Sequence, residues 1–240
     1  MGLQVDWSRW YLTDEDDMGE GVEQGEIIRL VICCLKELAR ERGWENVLVA
    51  GDQFFAWVPS EPLVRVSPDV YLLDDPPPPP WPPSWQTWLP GHRAPRVAIE
   101  IVSSDGWQKD YDEGPAKYAQ LGTSELVIFD PDAVLGETRE RGRTPLTVYR
   151  REPDGAFVRV YAGAGPAGSV ELSAWFVAVS DGKVARIRVA RDEAGRDLVP
   201  TADEARKVAE SSRDEERRAR EVAEREVERL RAELDRLRRG

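Results

Sequence analysis

A single carboxylate, Glu100, interrupts the apolar stretch Val97-Ala98-Ile99-Glu100-Ile101-Val102. A short run of β-branched and aliphatic residues is typical of a strand that is buried on both faces of a sheet. An ionised carboxylate in such a strand is unfavourable by several kcal/mol unless a cation compensates its charge. The stretch therefore predicts a buried strand with a cation beside Glu100.

A second carboxylate, Asp69, has a similar setting upstream. It follows Pro68 in residues 66–73, a segment that predicts a strand entered through a proline. Two acids on neighbouring strands can share one metal ion. Alternatively, each acid pairs with a buried Arg or Lys. The pattern downstream favours the shared metal ion.

The composition limits the kind of metal site. The chain has 240 residues with 45 Asp and Glu, one histidine and two cysteines. A His-rich zinc site and an HExxH helix are excluded, and His92 is predicted to be a solvated loop residue. Any metal site must use oxygen ligands, which favours Mg²⁺ or Mn²⁺. The adjacent Cys33 and Cys34 are predicted to be small core residues in a reducing compartment.

Charge and hydropathy indicate where the protein acts and on what. No apolar stretch is long enough to span a membrane and the N-terminus does not resemble a signal peptide, so we expect a cytoplasmic protein without a membrane partner. Residues 201–240 carry equal numbers of acidic and basic side chains, so the net charge of −12 belongs to residues 1–200. An acidic body disfavours nonspecific DNA binding, and capture of nucleic acid would have to be local and metal-assisted.

The pattern along the chain predicts a mixed α/β fold. An acidic lead-in, residues 13–26, precedes an amphipathic helix that Gly43 ends, and three strands then form a hairpin-like meander over residues 47–66. A helix over residues 108–121 joins the strand of Glu100 to a strand over 125–129, which predicts a right-handed crossover. The segments 146–150, 156–161 and 170–179 are predicted to be antiparallel strands that cover an edge of the sheet.

Two segments point to contacts with partners. Residues 75–88 combine a proline run with Trp81, Trp85 and Trp88, which either pin the loop to the body or offer stacking faces to unpaired bases. Residues 200–240 are predicted to be a charged helical tail that follows a domain over 1–199. The tail contains an apolar seam with coiled-coil spacing, formed by Ala223, Val227, Leu230, Leu234 and Leu237. The seam indicates self-association, most simply as a dimer; the alternative is a solvated single helix.

The order of these motifs resembles the Uma2 family of bacterial proteins, a branch of the PD-(D/E)xK restriction-endonuclease-like superfamily. The resemblance covers about residues 20–180 and is strongest at residues 67–70, 98–103 and 117–131. It implies a restriction-endonuclease-like core of mixed sheet and flanking helices, with Asp69 and Glu100 as Mg²⁺ or Mn²⁺ ligands. It also implies Ile101 as a ligand, and Glu26, with Gln24 behind it, as the extra helix acid that some superfamily members use.

The resemblance implies a catalytic lysine as well, and here the chain departs from the family. The superfamily position two residues after Glu100 is Val102, and the Uma2 position four residues before the helix tyrosine is Gly114. Lys117 lies three residues from Gly114 on roughly the same helical face and is the predicted replacement. Lys109 is the second candidate.

Two acids and a lysine are sufficient for phosphodiester hydrolysis, even without a histidine. The same residues are poorly suited to acyl transfer or redox chemistry. The predicted function is a Mg²⁺-dependent endonuclease acting on nucleic acid, with DNA as the expected substrate. The alternative is a catalytically weakened nuclease fold that serves as an interaction module and oligomerises through its tail. Glycine at position 114 and the acidic body favour the alternative, whereas Asp69 and Glu100 favour the enzyme.

Overall fold

The computed structural model describes residues 6–12, 21–104, 106–138 and 140–239, so most of the predicted acidic lead-in lies outside the described residues. A 3₁₀ turn, Trp7–Trp10, precedes the regular elements of the body. These are, in chain order, α1 Val22–Glu41, β1 Val47–Ala50, β2 Phe54–Ala56, β3 Arg65–Val66, β4 Val70–Asp74, β5 Ser84–Gln86, β6 Val97–Ile101, a π-helical turn Lys109–Glu113, α2 Gly114–Leu121, β7 Glu125–Phe129, α3 Pro131–Leu135, β8 Leu146–Arg151, β9 Phe157–Gly163, β10 Ala167–Ser169, β11 Ala174–Ser180 and β12 Ala185–Ala190.

The centre of the fold is a six-stranded mixed sheet with the order β1-β4-β6-β7-β8-β9. Strands β6 and β7 run parallel, and the π-helical turn and α2 make the predicted crossover between them. The other neighbouring pairs described in this sheet are antiparallel. The predicted α/β class with a mixed sheet and flanking helices is therefore confirmed.

Each face of the sheet packs against its own layer. The apolar stripe of α1 and the sheet β10-β11-β12 share one core with inward residues of β4 and β6 such as Val70 and Ile99. On the opposite face, Tyr118 of α2 packs with Phe55 and Trp85 of a small sheet, β3-β2-β5. Cys34 is buried in the first core, but Cys33 on the other side of α1 is exposed, so the prediction that both are core residues is wrong for Cys33.

The predicted meander over residues 47–66 is also wrong. Strand β1 pairs with β4, whereas β2 leaves the main sheet to pair with β3 and, in parallel, with β5. Strand β5 lies inside the proline-rich segment, where the fully buried Trp85 donates a hydrogen bond from Nε1 to the carbonyl of Arg93 at 2.9 Å. Burial of Trp85 and the pairing of β5 with β2 both attach the segment to the body, and His92 stacks on the Trp85 ring.

The chain divides into two compact units, residues 1–199 and residues 200–240. The one element of the second unit is α4, Ala202–Arg239, a helix of 38 residues. A capping box starts the helix, because Glu204 N donates to Thr201 Oγ1 at 3.2 Å and Thr201 N donates to Glu204 Oε2 at 2.8 Å. Within the described ranges, no helix is both long enough and apolar enough to cross a membrane.

Candidate active site

Strand register brings Asp69 and Glu100 together. Val70 is paired with Ile99 in the antiparallel pair β4 and β6, so the preceding Asp69 lies across from Glu100. Ile101 N donates to Asp69 Oδ2 at 2.6 Å, and Asp69 N lies 3.4 Å from Glu100 Oε2. The two carboxylates thus share one end of the strand pair, as the sequence predicted.

Glu100 is less buried than the sequence predicted for a strand that is covered on both faces. Its neighbours Val97, Ala98, Ile99 and Ile101 are buried, whereas Glu100 itself is partly accessible. The reason is its position: it is the penultimate residue of β6, level with the point where β4 begins. Asp69 is partly accessible as well, so neither predicted ligand residue is fully buried.

A buried tyrosine holds the Glu100 carboxyl group in place. Tyr118 of α2 is 1% exposed, and its hydroxyl group donates to Glu100 Oε1 at 2.5 Å. Burial raises the pKa of Tyr118 well above its usual value, and the negative charge of Glu100 raises it further. Tyr118 consequently keeps its hydroxyl proton to higher pH than an ordinary tyrosine does.

The electrostatics of Glu100 favour a nearby cation. Burial raises the pKa of its carboxyl group well above 4.5, and repulsion from Asp69 and then Asp110 raises it further. The hydrogen bond from Tyr118 and the positive charge of Lys109 lower the same pKa, but less. Without a cation, the group therefore keeps its proton to higher pH than an ordinary glutamate does.

Asp110 is a third carboxylate that the sequence analysis missed. It lies in the π-helical turn, is 5% exposed, and has a pKa raised to about 7, chiefly by burial. Lys109 opposes the shift, while Asp69 and Asp130 add to it. The sequence carried a signal for Asp110, because Asp110, Gly114 and Tyr118 follow one another at intervals of four residues. In the structure all three are buried. This spacing marks one face of the predicted helix.

The two candidate lysines differ in their surroundings. Lys117 is 15% exposed on its side chain, and its Nζ lies 2.9 Å from Glu113 Oε2. The charge of Lys117 lowers the pKa of Asp110, but less than the charge of Lys109 does. Lys109 is exposed and lowers the pKa of both Glu100 and Asp110. The structure thus associates Lys109 with the carboxylates more strongly than Lys117, the first choice from the sequence.

Gly114 leaves space at the position of the family lysine. It is buried on the face of α2 that carries Tyr118. A Cβ built on Gly114 would meet Lys109 O at 3.4 Å, an ordinary contact, with no closer atom. A side chain can therefore begin at this position without displacing the backbone.

The structure does not bring Glu26 to the site. Its carboxylate forms an ion pair with Arg186 of β12 at 2.9 Å, and its side chain is 51% exposed. Gln24 occupies the expected place instead, because residues two apart on a helix point in nearly opposite directions. Its Nε2 donates to Asp69 Oδ1 at 3.1 Å and to Ile101 O at 3.3 Å.

The residues present fit a small dication with oxygen ligands. Asp69, Glu100 and the carbonyl group of Ile101 supply the oxygens, since the Ile101 side chain has no donor atom. The Gln24 amide group donates to two of these oxygens, Asp69 Oδ1 and Ile101 O, so those two lie close to one point. Across the described part of the chain, no three His, Cys, Asp or Glu side chains group as metal ligands, so a main-chain oxygen would have to complete the set.

A buried ion pair anchors the turn that carries Asp110 and Lys109. Arg143 binds Asp130 with Nε at 2.7 Å and Nη2 at 2.9 Å, and these side chains are 5% and 0% exposed. The Tyr111 hydroxyl group donates to Asp130 Oδ2 at 3.0 Å. Because Tyr111 belongs to the π-helical turn, this network ties the turn to the end of β7.

Comparison with known proteins identifies a family and similar solved structures. The model of the Uma2 family, described as "Putative restriction endonuclease", matches residues 16–173. Among solved structures, a "putative nuclease belonging to DUF820" from Anabaena variabilis ATCC 29413 is 15% identical, with 65% of this chain and 75% of that chain covered and a TM-score of 0.41. No curated protein matches the sequence. Because the family model spans more than half of the chain, and includes Asp69, Glu100 and Tyr118, the protein belongs to the Uma2 family.

Proposed function

We propose that this protein is a Mg²⁺- or Mn²⁺-dependent endonuclease that hydrolyses phosphodiester bonds in nucleic acid, with DNA as its substrate. The observation that carries the proposal is the pairing of Asp69 with Glu100 at one end of β4 and β6. Repulsion from Asp69 adds to the raised pKa of Glu100, and a bound dication would relieve it. Family membership supports the same reaction class.

Asp69, Glu100 and the Ile101 carbonyl group would hold the ion. When bound, such an ion lowers the pKa of a coordinated water molecule and polarises a phosphoryl oxygen. Gln24 orients the Asp69 carboxylate through Oδ1, and the Ile101 amide orients it through Oδ2. Tyr118 fixes Glu100 through Oε1, which leaves Oε2 to face Asp69.

The charged groups of the π-helical turn complete the proposed site. Lys109 places an ammonium group near Glu100 and Asp110, where it would stabilise the negative charge that develops on the scissile phosphate. Lys117 is the alternative for this role. Asp110 has a pKa of about 7, so it can accept a proton at its carboxylate near neutral pH.

Nicking of supercoiled plasmid with Mg²⁺ or Mn²⁺ tests the proposal. Asp69→Asn should abolish nicking and the rise in thermal stability that the ion produces by mass action. Lys109→Ala should reduce nicking about 100-fold or more and leave the ion-induced stabilisation intact, because a transition-state charge contributes little to ground-state ion binding. Lys36→Ala, an exposed lysine of α1, is the matched control and should cut normally.

The lysine variants also decide between the two candidates. If Lys117→Ala loses activity and Lys109→Ala does not, the role belongs to Lys117, despite its ion pair with Glu113. If both variants cut like wild type, neither lysine has taken over from the family position.

Glycine at position 114 supports a second candidate, a nuclease fold that has lost catalytic power and serves as an interaction module. Under this alternative, the ion stabilises wild type but not Asp69→Asn, and no nucleic acid is cut. An equal stabilisation of both proteins would place the ion elsewhere and would contradict the proposed site itself.

A further inference from the structure

One face of α4 carries a row of exposed aliphatic side chains. Val227, Leu230, Leu234 and Leu237 are 45%, 47%, 53% and 76% exposed. Their spacing of three, four and three residues matches the alternating a and d positions of a heptad, with Val227 and Leu234 at a. Such a row is unfavourable on a solvated helix, because burying aliphatic side chains away from water lowers the free energy.

We propose that this face binds the same face of a second copy of the chain, as a parallel, in-register, two-stranded coiled coil. The inference concerns residues 223–239 and does not depend on the proposed nuclease function. Charge complementarity and the composition of the a and d positions identify the second copy and its orientation.

The charges that flank the row favour the parallel orientation. With Val227 at position a, Glu226 and Glu233 occupy g positions, and Arg231 and Arg238 occupy e positions. In a parallel pair, each g residue faces the e residue five positions later in the partner, so Glu226 meets position 231 and Glu233 meets position 238. Both pairs are attractive. In an antiparallel pair, g faces g and e faces e, which would oppose Glu to Glu and Arg to Arg.

The a and d residues favour two strands and one register. Leucine at d with valine and leucine at a is compatible with a dimer, and Arg220 at the preceding a position ends the apolar row on the N-terminal side. A shift by one heptad would place Arg220 against Val227 of the partner. Because the row covers only about two heptads, the dimer should form in a concentration-dependent manner.

The charges of the free helix are available for this contact. Glu226 pairs with Arg229 of its own helix at 2.5 Å, and the two side chains are 50% and 67% exposed. Exposed pairs of this kind contribute little to stability. Replacing this ion pair by a contact with the second helix therefore costs little stability.

Charge reversal in the full-length chain tests the orientation. Glu226→Arg and Arg231→Glu should each weaken self-association about tenfold by sedimentation velocity, because each variant opposes like charges twice in its own dimer. An equimolar mixture of the two variants should recover wild-type association, since both pairs become attractive again in the mixed parallel dimer. If each variant associates as wild type does, or if the mixture recovers nothing, the proposed orientation is wrong.

Cysteine crosslinking gives an independent test in a Cys33→Ser background, which removes the exposed native thiol. Leu230→Cys and Leu237→Cys should each form a disulfide-linked dimer on mild oxidation, because equivalent d residues face each other in a parallel pair. Val222→Cys, exposed at a c position off the row, is the control and should stay monomeric. An antiparallel pair could place only one of the two leucine positions opposite its own copy. Crosslinking at one position alone, at neither, or equally at Val222 would overturn the proposal.

Discussion

Asp110→Asn should make the protein more stable at alkaline pH and less sensitive to pH. The folded protein raises the pKa of Asp110 from 3.8 to about 7, chiefly because the carboxyl group is buried. The folded state therefore binds a proton on Asp110 more tightly than the unfolded state does. Stability from this group is fully present below pH 3.8 and is lost as the pH rises towards 7.

The size of the effect follows from the shift. At 1.36 kcal/mol per pKa unit, the raised pKa of Asp110 makes the folded state less stable than it is below pH 3.8, by about 2 kcal/mol at pH 5.5 and by about 4 kcal/mol at pH 8. Asparagine has nearly the same shape and no charge. The stability of Asp110→Asn relative to wild type should therefore increase by about 2 kcal/mol between these two pH values.

Urea denaturation at pH 5.5 and pH 8, in a buffer with a chelator, measures this difference. Chelation matters because a bound dication would stabilise the ionised carboxylates of wild type. Asp112→Asn is the matched control, since Asp112 lies in the same π-helical turn but is exposed. Its stability relative to wild type should be the same at both pH values. If Asp110→Asn behaves like this control, Asp110 ionises normally, and the electrostatic description of the site is wrong.

Three further outcomes are expected. Arg143→Ala should lower the free energy of unfolding by about 3–5 kcal/mol in urea titrations, because it leaves the Asp130 carboxylate buried without its partner. The control is Arg40→Ala, since Arg40 is also ion-paired but its side chain is 72% exposed; this variant should change the free energy of unfolding by less than about 1 kcal/mol. Equal effects would contradict the importance of that network. Gly114→Lys should raise the nicking rate about tenfold or more by restoring a charge at the family position, and a loss of thermal stability at pH 8 would show that the side chain does not fit. A chain that ends after Thr201 should keep its melting temperature within about 5 °C and lose self-association; unfolding would mean that α4 stabilises the body.

The sequence predicted the parts of the site that depend on local pattern. The apolar runs around Asp69 and Glu100 indicate two strands, and once β4 pairs with β6 their register brings the two acids together. The crossover helix was predicted as well, but the hydrogen bond from its Tyr118 to Glu100 was not. The family match over residues 16–173 confirms the resemblance that these motifs carried.

What the sequence could not predict depends on contacts between distant segments. Strand β2 belongs to a separate sheet because β5, thirty residues later, pairs with it in parallel. The sequence favoured Glu26 over Gln24, and it could not show that Glu26 faces Arg186 of β12 while Gln24 faces Asp69. The ligand set, the lysine, the metal ion and the role of the tail stay predictions.

The π-helical turn makes the length of one connection critical. A π turn accommodates one residue more than an α turn, and this extra residue sets the rotation of Lys109 and Asp110 relative to Gly114 and Tyr118. Loss of a single residue from the turn would convert it to α-helix and rotate everything before it by about 100° around the helix axis. Deletions elsewhere on the surface can be absorbed by loops, but here they would change which side chains face the sheet. Within this family, the number of residues between β6 and the helix tyrosine should therefore vary together with the position of the lysine.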